Sequence, residues 1–322
     1  MTSKKYQEYR DLLKKRHYAE ASRLAELEYL GDDKNNPFWL ARQAAALSRA
    51  KKFEKSLEIA KQALALEPSN PYSILSVAEA LFGLNRFAEA VDYYEEIYRE
   101  PKLSSFSQKG ILDCCAKMKQ WDRILELIEI WKMPPDMRLR WEVKALAAQN
   151  RVTEAIRSCR KWLEMKPDYP EALWAMTDLE VRRDGIETVL SRWRRLAKIP
   201  SRPSIYNEIY ASLCRKSGKN ELALKEYDKI SQTGSKTYIQ RQQVFTLAKS
   251  GRETKAVSMA EELLKLNPKD IYVHSSYMGA CRRLGQMDRA LRFYETLIDM
   301  HPEEKSIYGR IRKIKKMLGL EA

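Results

Sequence analysis

Residues 70–101 read NPYSILSVAEALFGLNRFAEAVDYYEEIYREP, and this stretch decides the fold. Ile74, Val77, Ala78 and Leu81 fall at i, i+3, i+4 and i+7, which lines one face of a 3.6-residue helix. Gly83 and Asn85 break that period. Phe87, Ala90, Val91, Tyr94 and Ile97 then make a second stripe, and Pro101 closes the unit because proline cannot continue a helix. Two short amphipathic helices joined by a tight turn cannot bury both of their faces alone, so the unit needs neighbours.

The rest of the chain supplies them. The small residue in the middle of each second helix recurs as Ala21, Ser56, Ala90, Ile124, Ala155, Val189, Ala223, Ala256 and Ala290, at steps of 35, 34, 34, 31, 34, 34, 33 and 34 residues. Three residues before it stands a large apolar side chain, as in Tyr18, Phe53, Phe87, Trp121, Val152, Ile186 and Met287; Asn220 and Glu253 depart from this. Four residues after it come Ala25, Ala60, Tyr94, Ile128, Cys159, Trp193, Tyr227, Ala260 and Tyr294. Pro68, Pro101, Pro134, Pro167, Pro200, Pro268 and Pro302 end most units, and the breaks, such as GDDKNNP at 31–37 and SQTGSK at 231–236, are too short for domain linkers. A period of this length across nearly the whole chain means a solenoid.

These residues resemble the tetratricopeptide repeat family, whose 34-residue unit is a helix-turn-helix with an A-x3-F…P second half. The resemblance spans about residues 4–302 and implies an all-α, right-handed α-α superhelix of about nine repeats. The Trp and Leu-Gly of the family's first helix are mostly replaced here, as by Ile74 and Val77-Ala78. Ile124 and Val189 put bulk where Ala is usual, so irregular stacking is expected in the third to fifth repeats, where the step of 31 and Met133-Pro134-Pro135 also fall. We expect one continuous solenoid over 1–302. A capping helix over 303–322 would follow, with Ile307, Ile311, Ile314 and Leu318 opposite Arg310, Arg312, Lys313 and Lys316. The alternative for that helix is a membrane-surface or nucleic-acid-binding role.

Composition narrows the function. The formal net charge is +15, and residues 1–100 balance 16 Lys/Arg against 16 Asp/Glu while residues 101–322 carry 43 against 28, so an acidic partner would prefer the later repeats. Cys114, Cys115, Cys159, Cys214 and Cys281 show no C-x-x-C spacing and several lie on apolar stripes, which reads as buried reduced thiols. His17, His274 and His301 are far apart, so no metal set is expected. There is no H-E-x-x-H, G-x-S-x-G, P-loop or dinucleotide turn, and we expect no catalytic residues and no cofactor. No run approaches the roughly 20 apolar residues of a membrane span, and MTSKKYQEYR lacks a signal peptide's apolar core, so the expected setting is cytoplasmic.

The resemblance implies that the first helices line a concave groove. The side chains offset by about one position from their apolar stripes are Phe106, Lys109 and Lys117; Arg140 and Lys144; Trp174 and Arg182; Arg215 and Lys216; Tyr238, Arg241 and Lys249; and Tyr272, Arg282 and Arg283. Basic groups interleaved with aromatics would hold an extended acidic segment of another protein, Arg through bidentate contacts to carboxylates. They would equally hold single-stranded nucleic acid by phosphate contacts and base stacking, which is the alternative reading. Asp113, Glu171, Asp178 and Glu208 are the acidic exceptions, and plain solvation of helix faces is the bland reading of the whole set. Chaperone-binding family members clamp a peptide C-terminus with Lys and Asn on one first helix; here Lys109 meets Asp113 and Arg140 meets Lys144, so that clamp is not expected. Trp121, Trp131, Trp162 and Trp193 fall on second-helix core positions, leaving Trp174 as the tryptophan assigned to the groove. Self-association through terminal helices such as 3–15 remains a third mode.

Overall fold

The computed structural model describes residues 4–31, 37–231 and 236–320. The polar breaks singled out at 31–37 and 231–236 lie mostly outside the described residues. The described chain is all-α and carries nineteen helices without a strand among the described residues. It forms two compact units, residues 1–150 and 151–322.

The N-terminal unit runs α1 (Lys4–Lys14), α2 (Tyr18–Gly31), α3 (Pro37–Arg49), α4 (Phe53–Leu66), α5 (Pro71–Gly83), α6 (Phe87–Glu96), α7 (Ser104–Lys117), α8 (Trp121–Ile130) and α9 (Pro135–Ala148). The C-terminal unit runs α10 (Val152–Met165), α11 (Pro170–Asp184), α12 (Ile186–Leu196), α13 (Ile205–Lys216), α14 (Asn220–Ser231), α15 (Lys236–Lys249), α16 (Glu253–Leu266), α17 (Ile271–Arg283), α18 (Met287–Met300) and α19 (Lys305–Met317). The odd-numbered helices from α1 to α17 are the first helices of the repeats.

Every repeat buries its anchor: Ala21, Ser56, Ala90, Ile124, Ala155, Val189, Ala223, Ala256 and Ala290 are all essentially inaccessible. Small side chains there let two helix backbones approach. Ser56, the polar exception, turns its hydroxyl onto the Ala44 carbonyl at 2.7 Å, so its polar atom is satisfied. The Tyr94 ring in turn closes on Gly110, where an added Cβ would stand 2.5 Å from it.

The turns inside the repeats share a Schellman-type cap, in which a residue just after the helix takes positive φ and the next N–H reaches back to a carbonyl of the last turn; the turn between α11 and α12 departs from it, with Gly185 at φ 81° and ψ 155°. Arg86 donates to the Leu81 carbonyl and Gln286 to that of Cys281, at 2.9 and 2.8 Å. The N-terminal unit places Arg16, Lys51, Asn85, Lys119 and Asn150 in the left-handed region, whereas the C-terminal unit uses Gly218, Gly251, Gly285 and Gly319. The step of 31 residues has a local cause. Helix α8 spans only 10 residues, Trp131 and Pro134 are extended, and Pro135 opens α9 at once.

All five cysteines are buried and unpaired by disulfides, and burial pushes the Cys114 thiol up to about 12. Helix α19 packs on α18, with Ile307 and Ile314 buried in the cluster that holds Tyr277, Tyr294 and Leu297. No helix among the described residues is long and apolar enough to cross a membrane.

Candidate functional face of the first helices

On α5 the residues that point away from the core form a second stripe. Tyr72 and Glu79 are exposed and Leu75 and Phe82 half-buried, one position along from buried Ile74, Ala78 and Leu81. The same offset stripe appears on α7 as Phe106, Lys109, Asp113 and Lys117.

An aromatic residue recurs thirteen residues before the positive-φ position of its turn, as Phe38, Tyr72 and Phe106 in the N-terminal unit and as Tyr238 and Tyr272 in the C-terminal unit. Tyr72, Phe106, Tyr238 and Tyr272 are 41%, 58%, 42% and 60% exposed, a large outlay of apolar surface in water. Two of them are fixed by the cap before them. Asn70 accepts hydrogen bonds from the amides of Tyr72 and Ser73 at 3.0 and 3.2 Å, and Asp270 from those of Tyr272 and Val273, both at 3.1 Å.

The basic residues expected on this face divide by what they already hold. In the N-terminal unit Lys109 pairs with Asp113 at 2.8 Å, exposed Lys144 sits 4.0 Å from the Trp141 ring centroid, and Lys117 and Arg140 are exposed. In the C-terminal unit Arg182, Lys249 and Arg282 are exposed, Arg282 lying 3.9 Å from the Met317 sulfur. Lys216 is engaged with Asp178 at 2.8 Å, and Arg283 with Glu253 at 3.0 Å and the Ala248 carbonyl at 2.8 Å.

Arg241 is half-buried and pairs with the buried carboxylate of Asp270, the same side chain that caps α17. Arg215 is half-buried, and its Nε is buried without a hydrogen-bond partner. Burial, aided by Glu208, raises the pKa of the Tyr238 hydroxyl against the opposing pull of Arg215 and Arg241. Trp174 is half-buried and packs against the core cluster of Leu173, Trp193 and Tyr206.

The N-terminal part of this face carries a further cluster. There the Arg42 guanidinium lies 3.9 Å from the Phe38 ring centroid, 5.1 Å from that of Tyr72 and 5.5 Å from that of Tyr6, joining rings from α1, α3 and α5. Between α5 and α7 a recess of about 220 Å³ is lined by Leu75, Glu79, Phe82, Tyr94, Phe106, Lys109, Gly110 and Asp113. The spacing that identified Phe106 would have reached Tyr72 and Glu79, but net charge directed attention to the later repeats. Within the C-terminal unit, residues 151–322 carry 34 Lys/Arg and 22 Asp/Glu.

No group of three or more His, Cys, Asp or Glu residues among the described residues could hold a metal ion. Residues 41–104 and 279–306 match family models described as tetratricopeptide repeat. No curated protein sequence matches the chain. Among solved structures, the tetratricopeptide repeat domain of P58(IPK) is 15% identical over 98% of this chain and 98% of that one, with a TM-score of 0.31. The C-terminal part of a repeat-containing protein from Cytophaga hutchinsonii is 14% identical over 84% of this chain and 98% of that one, with a TM-score of 0.48. A tetratricopeptide repeat protein from Parabacteroides merdae is 14% identical over 86% of this chain and 97% of that one, with a TM-score of 0.42.

Proposed function

We propose that this chain, a tetratricopeptide repeat protein, is a non-enzymatic scaffold that holds an extended segment of another protein along its first-helix faces, and that the face of the C-terminal unit takes an acidic segment. The observation that carries the reading is the recurrence of exposed rings at one repeat position, with Tyr238 and Tyr272 accompanied by Arg182, Lys249 and Arg282. Exposed aromatic surface of this size gains by being covered, and aromatics are the usual anchors of protein interfaces. Cations beside them select carboxylates and speed encounter.

The working set is smaller than the basic composition implies. Lys216, Arg241 and Arg283 already pair with Asp178, Asp270 and Glu253, so their charge is partly engaged within the chain. Tyr238, Tyr272 and Lys249 are the residues to vary.

A fluorescein-labelled peptide library with alternating Glu and large apolar residues, titrated by anisotropy, tests the proposal. Micromolar binding that weakens with salt and is lost in Tyr238→Ala/Tyr272→Ala/Lys249→Glu is the expected result. If a single-stranded 20-mer oligonucleotide binds at physiological salt while no acidic peptide does, the acidic-peptide reading is overturned in favour of nucleic acid.

A further inference from the structure

We propose that the recess between α5 and α7 in the N-terminal unit is a pocket for an arginine side chain presented by a partner segment. The acidic-segment reading concerns the C-terminal unit, so the two stand or fall separately.

The fold already shows what this face does with a guanidinium. In the interval between α3 and α5 the chain's own Arg42 lies over Phe38 and within reach of the rings of Tyr6 and Tyr72. At the same repeat position on α5 stands Ser76, whose hydroxyl donates back to the Tyr72 and Ala41 carbonyls. At that position on α7 stands Gly110. The next interval therefore keeps aromatic walls and receives no cation from that position.

The recess left there has the chemistry of a guanidinium site. Phe82 and Phe106 offer ring faces or edges, Leu75 an apolar wall, and Tyr94 the floor on Gly110. Three charges line it. Asp113 and Lys109 pair at 2.8 Å, which leaves Glu79 as the lining carboxylate without a salt bridge. Glu79 makes no ion pair with the cations that act on it, Arg49 and Lys109, and it also lines the adjoining recess with Arg49, Phe53 and Lys117.

The bland reading makes Glu79 a hydrated surface carboxylate. Its place opposes that reading: Glu79 lines both recesses among the rings of Phe53, Phe82 and Phe106, and desolvation there raises its carboxyl pKa despite the nearby Arg49 and Lys109. A planar cation that stacks on Phe106 and meets Glu79 would be held by ring and carboxylate together. An acidic side chain would face the same carboxylate and be repelled.

The test uses the full chain with its leucine methyl groups labelled and N-acetyl-arginine amide as the probe, followed by NMR. The Leu75 methyl signals should shift in a saturable manner with the arginine amide and remain still with the neutral isostere N-acetyl-citrulline amide. Glu79→Gln, a near-isosteric change at an exposed position, should weaken binding at least tenfold without altering the helical circular dichroism. Equal shifts from citrulline, undiminished binding by Glu79→Gln, or saturable binding of N-acetyl-glutamate amide at Leu75 would each overturn the proposal.

Discussion

Exchanging the residues at two equivalent turn positions tests the repeat geometry directly. Gly218 closes the hairpin between α13 and α14 at φ 78°, and Lys119 closes that between α7 and α8 at φ 59°. A Cβ added at Gly218 would have no atom within 4 Å, so Gly218→Ala meets no steric obstacle from its surroundings. Its cost is that of holding an L-residue in the left-handed region, about 1–2 kcal/mol. Ala also removes freedom from the unfolded chain, which returns about 0.4–1 kcal/mol. The net expectation is a destabilisation of about 1 kcal/mol. For Lys119→Gly both contributions change sign, and the expectation is a gain of up to about 1 kcal/mol. Asn tolerates this conformation, so Gly218→Asn serves as the control and should fall between Gly and Ala. Urea unfolding followed at 222 nm measures all three, with an unchanged denaturant slope showing that the effect lies in stability alone. The reasoning fails if Gly218→Ala is as stable as Gly218→Asn, or if Lys119→Gly loses the 0.5–1 kcal/mol or so that glycine costs at an ordinary helical position.

Other perturbations have different causes. Gly110→Ala should destabilise by about 1–3 kcal/mol in the same urea assay, because its Cβ would stand 2.5 Å from the Tyr94 ring, and an additional Tyr94→Leu should recover part of the loss. Buried His274 accepts the Tyr294 hydroxyl on Nδ1 and donates from Nε2 to the Pro268 carbonyl, which fixes the neutral tautomer; burial, helped by Arg310, lowers its pKa and outweighs the Pro268 hydrogen bond and Asp270. Its contribution is therefore complete above about 6.5 and declines as pH falls from there toward its lowered folded value, and His274→Gln should flatten that slope in urea titrations between pH 7 and 5. Arg192 pairs with the buried carboxylate of Glu180, so Arg192→Ala should cost about 2 kcal/mol at neutral pH, less than for a fully buried pair because Arg192 is partly in solvent. Burial already raises the Glu180 carboxyl, and thermal melts should show the deficit shrinking in acid as that group protonates.

The architecture was legible because it rests on period and volume. The spacing of Ala21 through Ala290 marked helix contacts that every repeat must make, and all nine positions are buried to within 1%. The stripe of α5 gave both its core face, through Ile74 and Leu81, and its outward face by an offset of one. Charge was less informative, because a side chain's sign does not say which partner it meets. Lys216 and Arg241 look alike in sequence to Arg182 and Lys249. The first two find Asp178 and Asp270 on elements distant along the chain, and only the folded arrangement reveals it. Glu79 was hidden for the converse reason. It reads as a solvated acid, and its character comes from Phe82, Phe106 and Tyr94 around it.

The central claim is that the exposed rings of the first helices hold a partner segment. Its most direct measurement is isothermal titration of the tightest acidic peptide from the library into the wild type and into Tyr238→Ala/Tyr272→Ala, with circular dichroism on both. The account predicts unchanged helicity and at least a tenfold loss of affinity in the double variant. Equal affinity with unchanged helicity would contradict it and place the binding surface away from the first-helix face.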